Sequence, residues 1–210
     1  MSADYAYNDH AVTPDPPHQP LYLAKMLRYL GADPSIRTLL DAGCGNGNFT
    51  ASLAEAGYNV FGLEMDGSGV RLAEERKVGT FRKGSVYEPL TKAFPEVESF
   101  DAVVAVEVIE HLYSPRIFVN GAYDVLRPGG RLIMTTPYWG YLKNLALAVL
   151  GRIDRHHTAL WDGGHIKHWC RKTLTMLVEE RGFEVVAFEG AGRLPYLWNG
   201  MMLVARKPRP

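Results

Sequence analysis

At 210 residues and 47% hydrophobic, the chain is long enough for one domain with a substantial core. Its 23 Lys and Arg balance 23 Asp and Glu, so no global field draws it to nucleic acid, and no basic stripe interleaved with aromatics points that way. Two cysteines, Cys44 and Cys170, make neither a disulfide framework nor a cysteine zinc site, and no leader or membrane-spanning segment is expected, so a reducing cytoplasmic setting is the expectation.

Residues 1–20 carry Tyr5, Tyr7, His10 and His18 among prolines and acids without helical or strand period, and read as an extended arm or a flap. From 21 the period changes. Leu23, Met26, Leu27 and Leu30 fall at i, i+3, i+4 and i+7, which predicts a helix ending before Gly31 and Pro34. The single domain is taken to occupy residues 21–210.

The stretch Thr38 to Phe49 reads as a short apolar strand, a glycine turn and the start of a helix. Gly43, Gly45 and Gly47 let the backbone bend and approach a ligand, and Asp41 sets a carboxylate at the strand's end. A dinucleotide turn of the form G-x-G-x-x-G would need glycine at 48, where the chain has Asn48. An acid there also repels a pyrophosphate and attracts an ammonium or sulfonium. The motif Asp41-Ala42-Gly43-Cys44-Gly45-Asn46-Gly47 resembles the first motif of the class I S-adenosylmethionine-dependent methyltransferases.

The next strand, about 58–63, ends in Glu64-Met65-Asp66. An acid at a second strand's end, about 20 residues after the glycine turn, is placed to accept from two ribose hydroxyls, which makes Glu64 the ribose candidate. The resemblance implies that Met65 packs on adenine. It also implies an acid after Gly84 for the adenine amino group; here Ser85 or the backbone of Val86 takes that place.

Phe100 to Val106 is apolar on both faces, as the centre of a parallel sheet requires, and runs into Glu107-Val108-Ile109-Glu110-His111. A helix with Phe118, Ala122, Val125 and Leu126 on one face, then Arg127-Pro128-Gly129-Gly130 and a fifth strand at 131–135, follow the methyltransferase order segment by segment across roughly 37–136. The implied fold is α/β: a Rossmann-like doubly wound sheet of seven strands, mostly parallel with an antiparallel last strand, and helices on both faces.

Residues 138–169 form an insertion that the resemblance assigns to the acceptor side. Its apolar run 142–150 reads first as buried core and alternatively as a lid or a membrane-surface element. A helix at 171–181 and strands at 183–188 and 201–205 close the chain.

The resemblance implies S-adenosylmethionine as cofactor, with S-adenosylhomocysteine (SAH) as product. Asp41, Gly43, Cys44, Gly45 and Asn46 would hold its methionine end, Glu64, Met65, Ser85 and Val86 its nucleoside, and Val106 and Glu107 the face near the sulfonium. His111 is the candidate base for an acceptor hydroxyl, with a structural role such as capping the next helix as the alternative. Tyr138, His157 and His165 are candidate acceptor contacts. Glu107, Glu110 and His111 look like the acid-acid-His group with which some ubiquinone-biosynthesis-type relatives hold a divalent metal, although no metal is assigned. The acceptor is expected to be a small molecule, a sugar or a lipid-linked compound, methylated on oxygen by a monomer or homodimer. The other readings are a non-catalytic S-adenosylmethionine-binding module and a nicotinamide-dependent oxidoreductase.

Overall fold

The computed structural model describes residues 19–157, 160 and 164–210; the arm tyrosines and histidines and Trp161 lie outside the described residues. In chain order the elements are α1 (Gln19–Gly31), β1 (Thr38–Ala42), α2 (Asn48–Glu55), β2 (Asn59–Glu64), α3 (Gly67–Glu75), β3 (Thr80–Lys83), β4 (Phe100–Val106), α4 (Pro115–Val125) and β5 (Leu126–Pro137). Then come α5 (Tyr141–Val149), α6 (Ile153–His157), α7 (Arg171–Glu180), β6 (Glu184–Ala191) and β7 (Gly200–Arg206).

The seven strands order as β3-β2-β1-β4-β5-β7-β6. β1 to β5 run parallel, and β7 inserts antiparallel between β5 and β6. This is the architecture expected from the sequence. Alternation along the strands explains its two-sided core: Leu40, Val103 and Ala105 face α4 and α7, while Leu39, Ala102 and Val104 face α1 and α2. Strand order reverses between β1 and β4, so their carboxyl ends open the crevice where such sheets bind ligands.

β5 begins earlier than the sequence suggests, because Leu126 already pairs with Phe100 before an irregularity restores register at Ala102↔Arg131. The apolar helix α5 departs further from expectation. Tyr141, Leu142, Leu145 and Val149 are exposed, and the residue it buries is Lys143, so the reading of 142–150 as core is overturned. The cause is local: Lys143 Nζ donates to the Tyr138 carbonyl at 2.9 Å and lies over the Trp139 ring, which turns the cationic face inward. Among the described residues no helix is long and apolar enough to cross a membrane.

Candidate active site

The turn between β1 and α2 is held by glycines in left-handed conformation, with φ of 80° at Gly43, 55° at Gly45 and 75° at Gly47. Space is short as well. A Cβ on Gly43 would lie 2.7 Å from Val108 Cγ2, and one on Gly47 would lie 2.9 Å from Ala73 Cβ. The Gly43 and Cys44 N–H groups both donate to the Leu63 carbonyl, at 2.8 and 3.1 Å, which folds the turn over the end of β2. Glu64 locks it there: Oε2 accepts from Gly45 N–H and Oε1 from Asp66 N–H, each at 2.9 Å.

Asp41 is buried, and Thr50 Oγ1 donates to its Oδ2 at 2.6 Å. Burial raises its pKa to about 7, the Thr50 hydrogen bond opposes that rise, and the Glu64 charge adds to it. Two buried acids thus flank one turn, which is an arrangement that gains from a cation. Around them Asn46 Oδ1 accepts from Asn48 N–H at 3.2 Å, and its carbonyl accepts from Arg76 Nε at 2.7 Å. Met65 stands 67% exposed beside Glu64. Val86 is buried, and Ser85 Oγ accepts from Tyr87 N–H at 3.2 Å. The buried side chain of Cys44 packs with Val70, Ala73 and Phe81.

At the end of β4, after Val106, Glu107 takes a positive φ of 55°, an uncommon conformation for a non-glycine residue. Its N–H donates to the Thr135 carbonyl and hydroxyl at 3.2 and 3.0 Å, while Thr135 Oγ1 donates back to its Oε1 at 2.9 Å. Burial raises its pKa to about 7 against that hydrogen bond. Glu110 is more deeply placed. Only 1% exposed, its carboxyl oxygens meet no hydrogen-bond geometry among the described residues, and burial followed by the Glu107 charge pushes its pKa well above the carboxylate range, against a weaker opposing pull from the Thr136 hydroxyl.

The insertion reaches this point. Ile166 and Lys167 N–H groups donate to the Glu110 carbonyl at 3.0 and 2.9 Å, and this latch brings His165 Nε2 to 4.0 Å from Glu110 Oε1. The His111 and His165 rings meet edge to face at 5.0 Å. Potential ligand atoms of Glu110, His111 and His165 all lie within 4.8 Å of one another, and this is the group among the described residues able to hold a metal ion. Glu107, the other acid of the resemblance, is instead engaged by Thr135. His111 does not cap α4, which starts after Ser114 at Pro115.

Of the expected acceptor contacts, only His165 joins His111. Tyr138 is buried against Trp198 at 5.3 Å, and His157 stacks in a separate group with Trp139 at 5.0 Å and His168 at 5.3 Å. Sequence reasoning missed Tyr22. The helical period of α1 runs through Leu23, Met26, Leu27 and Leu30 and does not single it out, yet the Glu107 and Glu110 charges reach its fully buried phenol, whose hydroxyl lies against Gly200. Thr135, Thr50 and Lys143 were missed too, since only tertiary contact gives them a role.

The fold and the glycine turn define a class I S-adenosylmethionine-dependent methyltransferase architecture. The chain belongs to the methyltransferase domain family, whose pattern it matches over residues 18–187. That membership displaces the nicotinamide oxidoreductase reading. It is 36% identical over 106 residues to the mitochondrial ubiquinone biosynthesis O-methyltransferase of Rattus norvegicus, spanning 47% of this chain and 30% of that protein. It is 35% identical over 162 residues to a Mycolicibacterium smegmatis protein named "Probable S-adenosylmethionine-dependent methyltransferase/", spanning 74% of this chain and 57% of that one. The chain therefore covers about a third to just over half the length of these relatives. In fold it resembles the magnesium protoporphyrin IX methyltransferase of Synechocystis PCC 6803 crystallised with bound SAH, with a TM-score of 0.68, 19% identity, and 90% and 83% of the two chains covered.

Proposed function

We propose that the chain transfers a methyl group from S-adenosylmethionine to an oxygen of a small, lipid-linked aromatic acceptor. The observation that carries this reading is the pair of buried carboxylates, Asp41 and Glu64, flanking a glycine turn at the point where strand order reverses. Such a site suits a ligand with a cationic amino-acid end and a ribose, and the resemblance assigns Asp41 to the first and Glu64 to the second. Asn46 and the bends at Gly43 and Gly45 shape the methionine end. Met65, Ser85 and Val86 line the adenine side, and Val106 with Glu107 faces the sulfonium.

Bound there, S-adenosylmethionine supplies a methyl carbon made electrophilic by sulfonium. The chain's own residues align the acceptor and remove its proton. His111 takes the hydroxyl proton as the acceptor oxygen commits its electron pair to the methyl carbon, and His165 beside it holds the acceptor. The relatives named for ubiquinone biosynthesis O-methylation support oxygen as the methylated atom. As an alternative to His111 acting as base, Glu110, His111 and His165 would fit a divalent ion through one buried carboxylate and two imidazoles, and the ion would acidify the acceptor hydroxyl in its place.

The test is methyl uptake from labelled S-adenosylmethionine into a panel of catechols, phenols and prenylated phenols. Turnover is expected on a phenolic acceptor, with His111→Ala lowering kcat about 100-fold or more while SAH affinity stays within twofold. Full SAH binding with no transfer to any acceptor would favour the non-catalytic module.

A further inference from the structure

Ten of the seventeen large hydrophobic side chains that stand exposed among the described residues fall in two short stretches, 138–169 and 192–199. The first contains α5. On it Tyr141, Leu142, Leu145 and Val149 are 76%, 51%, 46% and 78% exposed and share one side at helical spacing, while Lys143, 6% exposed, sits on the other. A helix made for water has the opposite arrangement. The second stretch is the β6–β7 connection, where Leu194, Tyr196 and Leu197 are 60%, 57% and 41% exposed.

Both stretches sit at one end of the sheet. Pro137 and Ala191 both pair with Gly200, so the β5–α5 junction and the β6–β7 connection emerge together, at the end where β1 and β4 deliver Asp41 and Glu107. Tyr138 joins them. Its ring packs on Trp198, its N–H donates to the Asn199 carbonyl at 3.0 Å, and its own carbonyl holds Lys143.

Charge decides what covers this face. Of the charged side chains described on the two stretches, Arg152 and Arg193 are exposed and Lys167 is half-buried, against one exposed acid, Asp154, while Lys143 is turned inward onto the Tyr138 carbonyl. A second copy docked through the same face would set these cations against their own kind, whereas an anionic lipid surface complements them and accepts the apolar stripe.

We propose that α5 and the β6–β7 connection rest on an anionic lipid surface, so that the adjoining site draws its acceptor directly from the bilayer. The identity of that acceptor rests on the function proposed above, but the docking does not. The experiment is vesicle flotation of the whole chain with phosphatidylglycerol–phosphatidylcholine liposomes, with phosphatidylcholine alone for comparison. Leu145→Ser/Val149→Ser and Arg152→Glu/Arg193→Glu are run alongside, and SAH titration and a melting curve check that each double variant is folded.

The wild type should float with the anionic vesicles and markedly less with the neutral ones. Each folded double variant should partition about tenfold less or weaker still, and the wild type should be released as salt rises to 0.5 M. A wild type that stays with the soluble fraction, or variants that float as well as it does, would overturn the proposal. So would a sedimentation-velocity dimer abolished by Leu145→Ser/Val149→Ser, because a second copy would then cover the face. Floating without methyl transfer to any acceptor would leave the docking standing and remove only the catalytic reading.

Discussion

Asp41 carries a conflict between stability and binding that can be read as a function of pH. Its carboxyl titrates near 7 in the folded chain against an ordinary value of 3.8, because burial penalises the charge. The folded state therefore holds the proton more tightly than the unfolded chain. Stability from this group is fully present below about 3.8 and is lost as pH rises to about 7. A bound ammonium reverses the preference by favouring the carboxylate. SAH affinity should therefore rise with pH between about 5.5 and 7.5, by roughly tenfold, and then level off. Asp41→Asn should flatten that profile and weaken binding, yet stabilise the ligand-free protein by about 1–3 kcal/mol at pH 8 and scarcely at pH 4. Calorimetric titration and thermal melts across this range check both signs.

Among the elements, the β1–turn–α2 unit depends most on single residues. Gly43→Ala puts a methyl 2.7 Å from Val108 Cγ2 and forces a left-handed alanine, so a loss of about 2–4 kcal/mol is expected in denaturant melts, together with loss of SAH binding. This unit was legible in the sequence because its signals are local: an apolar run, three spaced glycines and an acid. β4 was legible for the same reason, with six of its seven residues apolar and only Asp101 charged. α5 was not. Its apolar period at 142–150 is equally that of a helix facing the core or facing out, and the choice was made by Tyr138 and Trp139 capturing Lys143. The acceptor side was hidden for a related reason. His165 and His157 look alike in the sequence, and the latch of Ile166 and Lys167 to the Glu110 carbonyl is what brings the first to His111. The structure thereby replaces Glu107 with His165 in the candidate metal group. One equivalent of Co²⁺ should give visible absorption that persists in Glu107→Gln and disappears in His165→Ala. The reverse outcome would return Glu107 to the set.

For the whole molecule, two chemistries share one end of the sheet. The buried acids Asp41 and Glu64 sit at the ends of β1 and β2, the acids and histidine of 107–111 follow β4, and the insertion with the β6–β7 connection flanks them. The reversal of strand order between β1 and β4 opens that end, and α1 closes its back by driving Tyr22 toward Glu107 and Glu110. The family and the fold follow from this layout, while the acceptor depends on side chains that only tertiary contacts gather. All that is proposed for the site rests on the glycine turn with its two acids binding the cofactor. Titration calorimetry with SAH tests it most directly, on the wild type and on Glu64→Ala shown by melting to be folded. One site with a Kd of about 10 μM or tighter, weakened at least about tenfold in the variant, is the expected result. A folded wild type that releases no heat and binds no SAH would contradict it, and the turn would then be architecture alone.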